Sequence, residues 1–238
     1  MERIDDLGND LKLIQNDKYF CFGTDSVLLA NFVKSNKKIN LLDLCSGSGI
    51  IPILLTKKIN INTSYAIELQ DEMYDLLIKN NKLNNLNINC IKEDITNINN
   101  ILSYIKDNID VITVNPPYKE KGSGIYNKLD VKYIARHEEK LKLDDIFKLS
   151  SKLLNDKSKL YIVHKPERIN DLISIARKYN LEAKTIQLIQ PTINKKPSIV
   201  LIEYTKNGGK ETKINPVLVQ YDDNNNYTTE FLKFVNEK

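Results

Sequence analysis

Tryptophan is absent from the 238 residues of this chain, and methionine and histidine occur only twice each. The two histidines, His137 and His164, are far apart in sequence, so no imidazole pair has the spacing of a zinc site. Cys21, Cys45 and Cys90 stand singly, without a C-x-x-C pair. They make neither a metal cluster nor a disulfide framework, and they fit a reducing compartment. No apolar run is long enough to cross a bilayer, and the acidic start of the chain has no signal-peptide core. The expectation is a cytoplasmic protein with no metal and no membrane partner, and a monomer. Internal repeats are also missing. What is present is 41% hydrophobic and 28% charged residues, the balance of an ordinary globular protein. The length suits one large α/β domain or two small ones. A net charge of +4 permits a polyanionic partner without demanding one.

The chain is organised around Asn115-Pro116-Pro117-Tyr118, which follows the apolar run Val111-Ile112-Thr113-Val114. Neither proline can donate to a sheet ladder, so the strand ends there. The residue before each proline is held in extended geometry. An amide, a backbone carbonyl and an aromatic ring are thereby gathered on stiff backbone at a strand end. In open α/β sheets that edge binds ligands. Two acceptors and a ring can grip a planar amino group. The plainer reading is a Pro-rich turn with a core tyrosine.

Taken in order, residues 1–23 read as a hairpin of Leu11–Ile14 and Tyr19–Phe22 about a turn at Gln15–Lys18, or as an extended lead-in. Thr24 or Asp25 then caps a helix running to about residue 34. From residue 40, strands and helices alternate, which predicts a mostly parallel sheet. Strands are expected at 40–44, 65–67, 88–91, 111–114, 160–163, 183–189 and 198–204, with helices between. The link Gln190–Pro197 is too short for a crossover, so the last two strands are antiparallel. The fold class is α/β, Rossmann-like: seven strands, mostly parallel, the last antiparallel, with helices on both faces. One domain is expected over 1–238, comprising a hairpin and helix at 1–35, a core at 40–205 and a tail at 206–238. Residues Lys119–Lys142 break the alternation with lysines, Arg136, His137 and interleaved tyrosines. A loop of that length reads as a basic flap over a polyanion or as a solvated charged loop.

Asp43-Leu44-Cys45-Ser46-Gly47-Ser48-Gly49 lies between the first strand and a helix. The G-x-G start lets backbone approach a ligand closely. Pro52 stands where a nicotinamide dinucleotide fold would want its third glycine, which weakens that reading. Glu68 ends the second strand, where a carboxylate can accept both hydroxyls of a ribose. Asp94 follows the third strand and can accept from an adenine amino group. Singly, each acid also reads as a solvated turn residue. In order along one sheet edge, with Asn115 beyond them, they make a set.

This set resembles the class I S-adenosylmethionine-dependent methyltransferases of the amino-group type, over residues 40–205. The resemblance implies that the loop of Asp43, Cys45, Gly47 and Gly49 holds the amino-acid end of S-adenosylmethionine. It likewise implies that Glu68 holds the ribose, that Asp94 contacts the adenine, and that Asn115, Pro116 and Tyr118 hold the amine to be methylated. Four further stretches sharpen it: Phe22-Gly23-Thr24-Asp25-Ser26-Val27-Leu28-Leu29-Ala30, Ala135-Arg136-His137-Glu138, Lys165-Pro166-Glu167-Arg168, and the tail Pro216–Leu232. Together they are similar to the bacterial tRNA (adenine-N6)-methyltransferases that modify adenine 37 beside the anticodon of a valine tRNA. On that resemblance the partner is tRNA, bound at its anticodon loop. Lys119, Lys132, Arg136, His137 and Lys165 would meet the RNA, and Thr24 and Asp25 would cover the cofactor or serve as a plain helix cap. Competing readings are a protein glutamine or DNA adenine methyltransferase, and a non-catalytic RNA-binding protein on the same fold. The glutamine enzymes usually carry a separate N-terminal helical domain, for which the residues before the first strand are too few, and the DNA enzymes a target-recognition domain that is not expected here.

Overall fold

The computed structural model describes residues 1–19, 21–117 and 142–236. An N-terminal hairpin pairs β1 (Glu2–Gly8) with β2 (Leu11–Asn16). The main sheet contains β3 (Ile39–Leu44), β4 (Ile61–Glu68), β5 (Ile88–Lys92), β6 (Ile109–Val114), β7 (Leu154–His164), β8 (Leu181–Gln190) and β9 (Ile199–Lys206). Their spatial order is β5-β4-β3-β6-β7-β9-β8. β9 runs antiparallel to both of its neighbours, and β3 to β7 pair in parallel. Two short strands from the tail, β10 (Lys213–Ile214) and β11 (Leu218–Val219), add to β8 in parallel. They widen the seven expected strands to nine among the described residues.

The helices are α1 (Thr24–Phe32), α2 (Ile50–Leu55), α3 (Asp71–Leu83), α4 (Ile98–Tyr104), α5 (Leu143–Leu153), α6 (Ile169–Lys178) and α7 (Thr229–Asn236). Alternation along each strand sends side chains to opposite faces. Thus Ile112, Val114, Leu160 and Ile162 join the core beneath α4, α5 and α6. Val111, Tyr161 and Val163 join the other, built by α1, α2, α3 and the hairpin. The strands are buried on both faces, which is why they read as near-continuous apolar runs.

Two expectations are corrected. The hairpin turn is at Asn9-Asp10, not at Gln15–Lys18, and both turn residues have positive φ, 52° and 63°. That twist matches a two-residue hairpin and suits Asn and Asp. Consequently Gln15 lies in β2, buried, with its Oε1 accepting from the Phe22 amide at 2.9 Å. The second correction concerns α1. Its N-cap is Gly23, extended at ψ 177°, without a side-chain cap bond. Thr24 and Asp25 are therefore its first-turn residues, not its cap.

Strand order reverses between β3 and β6. The chain leaves β3 toward β4 on one side and later returns to β6 on the other. Ligands of open α/β sheets bind at such a switch point, outside the carboxyl ends of the strands.

Candidate active site

Register brings the chemistry-bearing residues to one level. Ile91, Ile67, Leu44, Val114 and Ile162 form a row across β5-β4-β3-β6-β7. One residue further along, Glu68, Cys45 and Asn115 stand side by side at the ends of β4, β3 and β6. With strands about 4.8 Å apart, roughly 10 Å separates the backbone of Glu68 from that of Asn115.

Asp43 lies one level below the row, paired in register with Thr113 and sharing its sheet face. Thr113 Oγ1 donates to Asp43 Oδ1 at 2.6 Å. Asp43 Oδ2 is buried and has no hydrogen-bond partner among the described residues. A buried acceptor without a partner is uncommon in a fold and marks Asp43 as a candidate functional carboxyl. Burial pushes the Asp43 carboxyl up to about 7. The hydrogen bond from Thr113 opposes that shift, and the nearby Glu68 charge adds to it.

The chain after Asp43 turns sharply through three left-handed residues: Cys45 at φ 56°, Gly47 at 55° and Gly49 at 86°. Ser46 holds the turn, its hydroxyl donating to the Asp43 carbonyl at 2.9 Å and its amide to Ile67 at 3.0 Å. At Gly49 a Cβ would lie 2.5 Å from Leu77 Cδ1, so close packing of α3 also demands glycine there. The Cys45 thiol is pushed well up, by burial first and then by Glu68, Asp43 and Asp94, so it stays protonated.

Glu68 is 6% exposed, and its carboxylate organises the loop. Oε2 accepts from Gly47 N at 2.7 Å, and Oε1 from Leu69 N at 2.9 Å and Gln70 N at 2.8 Å. Burial still raises its pKa against these three bonds. A carboxylate has about four acceptor positions, so one remains for a hydroxyl beside Gly47. Asp94 Oδ1 accepts from the amide and hydroxyl of Thr96, at 2.9 and 2.7 Å. The Asp94 charge reaches Cys45, which puts it on the same rim.

On the other side of the switch point, Asn115 is half-buried, and its Nδ2 donates to Ser26 Oγ at 3.0 Å. Asp25, next along α1, has its carboxyl raised by burial and opposed by the charge of Lys165. The first turn of α1 thus lies against the ends of both β6 and β7. His164, at the end of β7, is buried, and its Nδ1 accepts from the Lys165 amide at 2.8 Å. Burial, then the Arg168 charge, drives its pKa to about 4, so the ring is neutral near pH 7. Tyr118, Lys119, Lys132, Arg136 and His137 lie outside the described residues.

Three supporting residues escaped sequence reasoning. Ser26 sits inside the run Phe22–Ala30 without a role assigned. Thr113 is a lone hydroxyl in an apolar strand, which was its signal. Asn80 is fully buried on α3, on the same stripe as Met73 and Leu77. Its Nδ2 donates to the carbonyls of Ile14 and Ser48, both at 3.0 Å, and its Oδ1 accepts from Ile14 N at 2.6 Å. It ties the hairpin to the glycine turn. A polar residue at an apolar position of a helical stripe was the cue.

Residues 20–171 match the methyltransferase small domain family. The chain belongs to that family. Among curated relatives, a protein of Photobacterium profundum named tRNA1(Val) (adenine(37)-N6)-methyltransferase is 28% identical over 213 residues, covering 88% of this chain and 87% of the relative. A protein of Histophilus somni with the same name is 28% identical over 209 residues, 88% and 86% of the two chains. Among solved structures, a predicted O-methyltransferase from Agrobacterium tumefaciens superposes with a TM-score of 0.69 at 16% identity, covering 89% of this chain and 95% of that one.

This methyltransferase has the class I fold, and family and fold together support S-adenosylmethionine as its cofactor. The donor set fits that molecule: an orphan carboxylate oxygen at Asp43 for a cation, an acceptor position at Glu68 for a ribose hydroxyl, and a glycine turn that leaves room for backbone approach. No helix among the described residues is long and apolar enough to cross a membrane. No group of three or more His, Cys, Asp or Glu among them could hold a metal ion.

Proposed function

We propose that this chain methylates the exocyclic N6 amino group of an adenine in tRNA, with adenine 37 beside the anticodon of a valine tRNA as its target. The observation that carries this reading is the placement of Asn115. It stands two strands from Glu68 on one level, with its amide nitrogen engaged behind it. The names of the curated relatives support the substrate.

S-adenosylmethionine supplies a methyl group on a cationic sulfur. Asp43 Oδ2 would take the ammonium of its amino-acid end, Glu68 a ribose hydroxyl, and Asp94 the adenine amino group. Asn115 Oδ1 and the Pro116 carbonyl would accept the two N–H bonds of the target amine, and Tyr118 would stack on its ring. That grip favours a more pyramidal nitrogen with its lone pair aimed at the methyl carbon. Held there, the cofactor would supply an electrophilic methyl whose displaced electron pair stays on sulfur, and the amine gripped by Asn115 and Pro116 would give up its extra proton afterwards. Positioning and electrostatics carry the rate, and no general base is required. His164, held at about 4 by burial and the Arg168 charge, is a weak proton acceptor near pH 7. A loop adenine must be unstacked to enter such a pocket, which is easier in a single strand than in a duplex. Lys119, Lys132, Arg136, His137 and Lys165 would contact the RNA. Lys165 shares its surroundings with Asp25, so it would act with that carboxylate beside it.

Purified protein, unmodified tRNA and methyl-labelled S-adenosylmethionine test the reading, followed by nucleoside mass spectrometry. The expected product is N6-methyladenosine in one tRNA. Transfer only to a protein would move the assignment to glutamine methylation. Cofactor binding without transfer to any RNA would defeat the proposal.

A further inference from the structure

We propose that Gln15 of the N-terminal hairpin is a positioning residue for the methyl-accepting side of the site. It fixes where the chain enters α1, and so where the first turn of α1 meets Asn115 and Lys165. This rests on the reading that Asn115 receives an amino group, and it gives the hairpin a part in that reaction. Strand β2 turns Leu11, Leu13 and Gln15 inward, exposed by 3%, 0% and 3%. The two leucines belong to the core, and an amide stands at the third inward position. Burying an amide is unfavourable unless its polar ends are bonded. Both ends are. Oε1 accepts from the Phe22 backbone amide at 2.9 Å, and Nε2 donates to the carboxylate of Asp5, its diagonal neighbour across the hairpin. A backbone N–H only donates, so the oxygen end of Gln15 must face Phe22 and the nitrogen end Asp5.

The start of α1 depends on that hold. Its N-cap, Gly23, makes no side-chain cap bond, and Gln15 grips the chain one residue upstream. Within one helical turn the chain then reaches the acceptor edge. The Ser26 amide bonds to the Gly23 carbonyl at 3.3 Å, Ser26 Oγ lies 3.0 Å from Asn115 Nδ2, and Asp25 feels the charge of Lys165. The far end of α1 is held independently: Tyr161 Oη donates to the Lys34 carbonyl at 3.2 Å, and the Phe32 and Tyr161 rings meet edge-on at 5.8 Å. Loss of Gln15 would therefore free the first turn without dislodging the helix. Gln15 also acts from a fixed base. Asn80 and Asn84, one turn apart on α3, each bond both the amide and the carbonyl of a β2 residue, Ile14 and Lys12 respectively. Asn80 further bonds Ser48 of the glycine turn. Successive residues of β2 thus tie the cofactor turn, through Ile14, to the acceptor helix, through Gln15.

Gln15→Ala should lower kcat for methyl transfer to tRNA about tenfold, the scale of a slight displacement of reacting groups. The Kd for S-adenosylmethionine should change less than about twofold, because the Asn80 contacts remain. Reversing the polarity of the buried pair gives the decisive variant. Gln15→Glu keeps an acceptor for Phe22 but sets a carboxylate against Asp5, and should lose about as much activity as Gln15→Ala. Adding Asp5→Asn restores a donor facing an acceptor with Phe22 still bonded, and should bring kcat back to within about threefold of wild type. A folded double variant no more active than Gln15→Glu would overturn the proposal. Hydrogen exchange reads the same device without turnover. The Phe22 and Ser26 amides should be protected in the wild type, exchange faster in Gln15→Ala, and regain protection in the double variant. A role in stability alone would speed exchange equally in β3 and β6, and that result, or an unchanged kcat with the Phe22 amide freed, would also overturn it. Failure of the tRNA assignment reads out separately, as wild-type protein that methylates no tRNA while exchange at Phe22 and Ser26 still follows Gln15.

Discussion

The sheet edge is built in two ways on either side of the switch point. On the cofactor side, the ends of β3, β4 and β5 carry carboxylates that bond back into the protein itself: Asp43 to the Thr113 hydroxyl, Glu68 to backbone amides, and Asp94 to the amide and hydroxyl of Thr96. Glu68 alone gathers Gly47, Leu69 and Gln70. Binding and folding use the same atoms there. On the acceptor side, β6 and β7 end in an amide, two prolines and a neutral imidazole; the Asn115 amide donates to Ser26 of α1, and the His164 ring accepts from the Lys165 backbone amide. A residue on the cofactor edge should therefore move stability and cofactor affinity together, and one on the acceptor edge should move turnover alone.

The largest effect expected is on the acceptor edge. On the proposed reading, Asn115→Ala removes an acceptor that counts only when the amine is pyramidalising. Turnover should fall by about 10²- to 10³-fold, the scale of losing one preorganised transition-state contact. The Kd for S-adenosylmethionine and the denaturation midpoint should hardly change. Equal loss of affinity would erase the distinction between the two edges.

Asn80→Ala is the reverse case. It would strand the Ile14 amide and the carbonyls of Ile14 and Ser48, all satisfied by one buried side chain. Buried polar groups left unpaired typically cost 1–3 kcal/mol each, and partial relaxation brings the expected loss to about 3 kcal/mol. Denaturant unfolding checks this, and cofactor affinity should fall with stability because Ser48 lies in the glycine turn. Unchanged affinity would separate the hairpin from the cofactor loop.

Gly49→Ala should cost about 2 kcal/mol, since the new Cβ meets Leu77 and the backbone is left-handed. Leu77→Ala in that background should relieve the clash but not the φ strain. A fully additive double variant in unfolding experiments would mean that Leu77 already yields.

Much of this contrast was legible in the residues. Strand ends followed by acids or prolines betray the sheet edge, because a ladder that stops must stop for a stated reason. Alternating strand and helix patterns gave the parallel order, and the short link before β9 its direction. The hairpin was misread because Tyr19–Phe22 looks like a strand, whereas Gly8-Asn9-Asp10 carries the turn through its φ values. The strands β10 and β11 are two residues each, too short for any period to show. Ser26 and Asn80 could not be assigned from local pattern. Their partners lie 89, 66 and 32 residues away, and only the fold brings them together.

The smallest expected effect tests the cofactor edge through protons. Asp43 has an ordinary value of 3.8 and is raised to about 7 in the fold, by burial above all. Between those values the native protein keeps a proton that the unfolded chain has lost. Stability should therefore fall as pH rises from about 4 to about 7, and level off above. A cationic group at Oδ2 favours the ionised form. Binding of S-adenosylmethionine should then release a proton near pH 7, and affinity should rise up to tenfold per pH unit below that point before reaching a plateau. The amino group of the ligand titrates too, so the comparison that counts is with Asp43→Asn, which keeps the shape and loses the charge. Calorimetry in buffers of different ionisation enthalpy should show the proton release in the wild type and not in the variant. If the slope survives in Asp43→Asn, the orphan oxygen faces something other than the ammonium. The cofactor edge would then be a folding device alone, with no share in binding charge.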